Sequence, residues 1–106
     1  MRRTRIKFCG MTRLDDALAA AELGVDAIGL VFVERSKRCV DIEQAATIAR
    51  ALPPFVQRVG LFMDAAPEAV RAVLAQVPLD LVQFHGSEPP EYCRSFHRPY
   101  LKALAM

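Results

Sequence analysis

Apolar positions along this chain follow two alternating rhythms. Short runs rich in β-branched and aromatic residues read as strands over Arg5–Cys9, Ala27–Val33, Gln57–Met63, Leu79–His85 and Tyr100–Ala105. Between them, apolar residues recur at helical spacing. Leu14, Ala17, Leu18 and Ala21 form one stripe, Ile42, Ala45, Ala46 and Ala49 a second, and Val70, Val73, Leu74 and Val77 a third. A short fourth helix is expected from Pro89 to Phe96.

The punctuation supports these elements. Thr12 followed by Asp15 has the form of a capping box. Gly24 stands where a helix C-terminus needs positive φ, and Asp41 can cap the second helix, which Pro53-Pro54 ends. Pro67 suits a first helical turn, where its missing N–H costs nothing.

Strands alternating with helices imply repeated βα units on a parallel sheet, in the order β-α-β-α-β-α-β-α-β. The choice lies between an open sheet covered on both faces and part of a (β/α)8 barrel. Covered strands should be apolar almost throughout. Here Lys7 and Cys9 share one face of the first strand, Arg58 interrupts the third, Gln83 and His85 end the fourth, and Lys102 lies in the fifth. A barrel accounts for such polar positions, because one strand face looks into a lumen. The expected fold class is therefore α/β, the first half of a (β/α)8 barrel. A whole barrel takes about 200–250 residues, so the 106 residues are expected to form a single partial domain, 1–106, truncated after the fifth strand.

Charge narrows the partners. Fourteen basic against twelve acidic residues leave a formal charge of +2, which argues for neither a nucleic-acid partner nor a membrane partner. The local cluster Arg2, Arg3 and Arg5 reads as a solvated strand entry. The longest apolar run, Ala27–Val33, is far short of a membrane span, and no targeting segment is read at the start. Cys9, Cys39 and Cys93 form no CxxC pair and no zinc spacing, so no metal is expected, and free thiols fit a reducing cytoplasm.

Cys9 is the leading candidate for chemistry. In Lys7-Phe8-Cys9-Gly10-Met11-Thr12 it ends a strand just before a glycine turn and a helix N-terminus. Barrel active sites occupy that end of the strands. A helix amino end and Lys7 would both favour thiolate. The alternative is an inert structural cysteine, the usual fate of a free one.

The same six residues resemble the opening K-x-C-G-(I/M/L)-T motif of phosphoribosylanthranilate isomerases of tryptophan biosynthesis. Further similarity follows in order at Ala27–Phe32, Ser36-Lys37-Arg38, Val59-Gly60-Leu61-Phe62, Val82–Glu88 and Lys102-Ala103. The resemblance spans essentially the whole chain. It implies a cofactor-free Amadori rearrangement of a small phosphosugar–anthranilate substrate, with Cys9 as general base. It implies that Arg38 binds the anthranilate carboxylate, a role suited to its planar fork. Gln83 and His85 would line the mouth. Lys7 and Lys102 would make interior polar contacts beneath the site, Lys7 with access to substrate. Cys39 departs from the aromatic residue common in the family at that position.

By the same resemblance, the general acid and the phosphate-binding loops belong to later strands, and the chain alone is expected to be inactive. Two other readings stay open: a non-catalytic half-barrel that self-associates through exposed strand edges, and a different phosphosugar-binding barrel. Asp64 and Asp80 have ordinary cap or turn explanations, and Cys93 reads as helix core.

Overall fold

The computed structural model describes residues 6–103. The cluster Arg2, Arg3 and Arg5, and the end of the expected fifth strand at Ala105, lie outside the described residues. Nine elements alternate: β1 (Lys7–Cys9), α1 (Leu14–Glu22), β2 (Ala27–Val31), α2 (Ile42–Ala51), β3 (Gln57–Phe62), α3 (Pro67–Gln76), β4 (Leu81–Phe84), α4 (Pro90–Arg94) and β5 (Tyr100–Lys102). All neighbouring strands pair in parallel, in the order β1-β2-β3-β4-β5. Sequential parallel neighbours with a helix at every crossover are the winding of a (β/α)8 barrel wall. The expected α/β architecture is present, with strands and the last helix shorter than their apolar runs.

Register decides which face each side chain occupies. Ile28, Leu30, Phe62, Val82 and Phe84 are buried against Ala17, Ala20, Ala45, Ile48, Ala49, Val70 and Val73 of the helices. The opposite face carries a smaller cluster of Ala27, Val59 and Leu61, with Val31 and Leu81 packed on it. That second face is concave. Lys7 on β1 donates a hydrogen bond to Gln83 Oε1 on β4, although a flat sheet would hold strands three places apart at about 14 Å. Lys7, Ala27, Val59, Leu81 and Leu101, one residue from each strand, also line a common hollow.

Two polar positions taken as lumen-facing lie on the other side. Arg58 falls in step with Gly60 and Phe62, toward the helices, and its guanidinium donates to the carbonyls of Ala49 (2.5 Å), Leu52 (2.5 Å) and Val56 (3.1 Å). It satisfies carbonyls left orphaned where α2 stops. Lys102 pairs in register with Phe84, again on the helix side. A polar residue in a strand can serve a helix terminus as readily as a lumen, so alternation alone misassigned both.

Most boundary expectations hold. Asp41 Oδ1 accepts from Gln44 N–H at 2.7 Å, Pro67 opens α3, Gly24 takes φ +87° after α1, and α2 gives way to Pro53 after Leu52. The Thr12–Asp15 capping box does not form. The N-cap is Arg13, with no side-chain cap, and its guanidinium holds the Asp15 carboxylate at 3.0 Å instead. A charged partner two residues away competes better for that carboxylate than a backbone amide. The α1 stripe is also rotated: Ala20 is buried, whereas Leu18 is exposed.

Candidate functional site

The C-terminal ends of the strands gather the candidate residues on the concave side. Cys9, the last residue of β1, is exposed and pairs in register with Gly29 on β2. A Cβ on Gly29 would sit 3.1 Å from Cys9 Sγ, so the glycine leaves room for the thiol. The other cysteines are placed for different work. Burial pushes the Cys93 thiol up from its ordinary value, and Glu88 adds to the effect. Burial also raises Cys39, followed by the nearby charges of Glu34 and Asp41. Neither environment favours thiolate. Cys93 is 2% exposed among core side chains, as its helical position led one to expect.

Arg38 reaches the same spot from a loop. The segment after β2 is pinned where it returns, with Val31 bridging Cys39 and Val40 N–H donating to Val31 O at 3.0 Å. Its turn is held by Arg38 N–H donating to Ser36 Oγ at 3.1 Å. These contacts lay the Arg38 side chain directly over Gly10, the residue after Cys9. A Cβ on Gly10 would collide with the Arg38 stem and come within 3.3 Å of Nη1. Gly10 also has φ +79°, so it is required twice over. Arg38 is thus brought against the residue that follows Cys9, although Arg38 and Cys9 lie 29 positions apart in sequence.

Gln83 and His85 continue the concave series of β4 that starts at Leu81. Gln83 is engaged by Lys7, so both contribute a polar floor. His85 N–H donates to Phe62 O at 2.9 Å, extending the ladder one residue beyond the strand. Its ring Nε2 is buried and has no hydrogen-bond partner among the described residues. A buried ring nitrogen without a protein partner carries a desolvation cost.

Lys102 is not beneath this site. Its ammonium donates to the carbonyls of Gly86 and Ala103 and lies 3.5 Å from Glu88 Oε1. Glu88 is the residue that sequence reasoning left without a role. It is 6% exposed, and its carboxylate accepts from Asp64 N–H at 2.8 Å and Gly86 N–H at 2.9 Å. Asp64 in turn accepts from Ser87 N–H at 2.7 Å, so its turn role links two loops. Asp80 accepts from Arg58 N–H at 2.8 Å, an ordinary loop contact. The one available signal for Glu88 was its place three residues after His85 in a loop, and residue type argued against burial. Among the described residues no cluster of His, Cys, Asp and Glu could hold a metal ion, and no helix is long and apolar enough to cross a membrane.

Comparison with known proteins gives one consistent result. The sequence profile of the family described as N-(5'phosphoribosyl)anthranilate (PRA) isomerase matches residues 6–105. An N-(5'-phosphoribosyl)anthranilate isomerase of Pseudomonas aeruginosa is 60% identical over 102 residues, which are 96% of this chain and 48% of the relative. The crystal structure of phosphoribosyl anthranilate isomerase from Thermotoga maritima superposes with a TM-score of 0.89 at 45% identity, over 94% of this chain and 50% of that one. A phosphoribosyl anthranilate isomerase in complex with reduced 1-(o-carboxyphenylamino)-1-deoxyribulose 5-phosphate matches equally well, with a TM-score of 0.89 and 45% identity over 94% of this chain and 53% of that one. The chain spans about half the length of the relatives it matches.

Proposed function

The chain belongs to the N-(5'-phosphoribosyl)anthranilate isomerase family, and from that premise we propose that it supplies the general-base half of such an isomerase in tryptophan biosynthesis. The observation that carries this reading is that Arg38 packs over Gly10, the residue that follows Cys9. A substrate that joins an anthranilate carboxylate to a sugar carbon needs an anion anchor and a proton acceptor close together. Arg38 and Cys9 have those chemistries.

In this reading the furanose ring of N-(5-phosphoribosyl)anthranilate opens when an acid protonates its ring oxygen, and a Schiff base forms between C1 and the anthranilate nitrogen. The Cys9 thiolate then removes the C2 proton, which the neighbouring iminium acidifies, and the electron pair neutralises the nitrogen to give an enolamine. Tautomerisation yields 1-(2-carboxyphenylamino)-1-deoxyribulose 5-phosphate. No cofactor takes part. Arg38 pairs with the anthranilate carboxylate, while Lys7, Gln83 and His85 line the floor and mouth of the site. The acid and the phosphate grip come from the remaining strands of the barrel, of which residues 1–106 form the first part, and the chain alone is inactive. A structure in the family that holds a reduced product analogue supports the choice of ligand class.

Complementation of a tryptophan auxotroph lacking the isomerase tests the reading, with this chain expressed as part of a complete barrel. Cys9→Ala should cut turnover by about 10²–10⁴-fold, the usual worth of a placed base, and abolish growth. Wild-type growth of that variant would remove Cys9 from the mechanism.

A second reading rests on the sheet edges. β1 and β5 terminate the sheet, and Phe8 and Leu101 on them are 38% and 52% exposed. In that alternative reading the chain pairs through these edges with a second copy of itself.

A further inference from the structure

The loops after β3 and β4 and the last residue of β5 converge on a single buried carboxylate, that of Glu88, whose side chain is 1% exposed. Removing an ionised carboxylate from water costs several kcal/mol unless it is paired and hydrogen-bonded. Here it has a backbone N–H from each of two loops and the Lys102 ammonium. The arrangement with Asp64 is reciprocal: Glu88 accepts from Asp64 N–H, and Asp64 accepts from Ser87 N–H. The backbone is bent to allow it. Asp64 takes φ +51°, and the place of a Cβ on Gly86 is filled by the Asp64 carboxylate.

The effect of this clamp falls on the residue just before Gly86. His85 is held on its N-terminal side by its own N–H to Phe62 O. On its C-terminal side both polar groups of Gly86 are fixed, the N–H by Glu88 and the carbonyl by Lys102. The peptide on each side of His85 is therefore pinned, while its buried Nε2 has no partner among the described residues. We infer that Glu88 is a positioning residue, which holds the loop so that the His85 imidazole is kept in one orientation at the substrate site. The inference rests on the reading of His85 as a group that lines the substrate site. Lys102 acts with Glu88, as the counter-charge and as the second hold on Gly86.

The chain contains two histidines, His85 and the exposed His97, so a spectrum of imidazole nitrogens has an internal reference. Nitrogen-15 correlation of the two rings in the full chain reads the surroundings of each imidazole. In the parent, the His85 ring signals should stand apart from those of the exposed His97. In Glu88→Gln, which loses the charge and one of the two acceptor oxygens, the His85 signals should move toward those of a solvent-exposed imidazole while those of His97 stay in place. Cooperative urea unfolding checks that the variant is folded. If Glu88→Gln fails to fold, Lys102→Met decides, because it keeps both N–H contacts to Glu88 and releases the Gly86 and Ala103 carbonyls and the counter-charge. A folded variant with an unmoved His85 spectrum overturns the inference, as does a His97 change of equal size, which would mean general loosening. No substrate enters the measurement, so its failure leaves the isomerase reading standing. Loss of that reading, shown by growth of Cys9→Ala, would leave the coupling of Glu88 to His85 intact.

Discussion

At the scale of single residues, two glycines with the same backbone signature separate local conformation from a role at the site. Gly10 and Gly24 both have positive φ, +79° and +87°. A Cβ on Gly24 meets nothing within 4 Å, whereas one on Gly10 runs into Arg38. Gly24→Ala should therefore cost only the left-handed penalty of about 1–2 kcal/mol and leave ligand binding unchanged. Gly10→Ala should cost more than Gly24→Ala in urea unfolding and, through displacement of Arg38, weaken binding of anthranilate-type ligands. Equal losses for the two variants, with binding intact in both, would detach Arg38 from Gly10. Cys9 was legible as a candidate from its strand-end position, and Arg38 from the resemblance carried by Ser36-Lys37-Arg38. Glu88 was not, because a carboxylate between a Gly-Ser turn and two prolines looks like any solvated loop acid. Its burial comes from Asp64 and Lys102, which are 24 and 14 positions away.

At the scale of elements, helix starts show how far local signals reach. Asp41 is a working N-cap and Thr12 is not. Asp41→Ala should destabilise the protein by about 1 kcal/mol, the usual worth of such a cap. Thr12→Ala should stay within about 0.5 kcal/mol, as for a residue without a special contact. Thermal or urea unfolding of the pair checks the order, and a costlier Thr12 variant would restore the capping box in solution. The two sites differ in one local competitor. Arg13 draws the Asp15 carboxylate away from the helix start, whereas Asp41 is followed by Ile42 and Glu43 and keeps its oxygen for Gln44 N–H. Strand positions show a parallel lesson. All five strands were readable from apolar runs, but Arg58 belongs to the end of α2 and Lys102 to the Glu88 clamp. Period-two alternation records that a residue changes face, and the neighbours across the sheet decide which face is which.

At the scale of the whole molecule, the sheet has a packed convex side and a sparsely filled concave side. The concave hollow is bordered by Ile6, Phe55 and Leu101, which are 45%, 95% and 52% exposed. Exposed apolar side chains beside parallel edges invite pairing with another chain. The proposed self-association predicts a scattering mass above that of one 11.8 kDa chain, rising with concentration. Leu101→Lys on β5 should lower it by placing a charge at the edge. A monomer at all concentrations would dismiss this second reading.

The amino-acid sequence by itself determined the order of elements, the parallel βα winding, four of the five helix-boundary features read from it, and the identity of Cys9 and Arg38 as candidates. Those properties depend on periodicity, on glycine and proline stereochemistry, and on a motif that is contiguous in the chain. Tertiary structure alone decided that Arg38 lies over Gly10, that Lys7 meets Gln83 across the concave face, that Arg58 and Lys102 serve the helix side, and that Glu88 is buried. Each of these depends on curvature and register, which bring groups from separate βα units into contact, and no pattern within one unit carries that information.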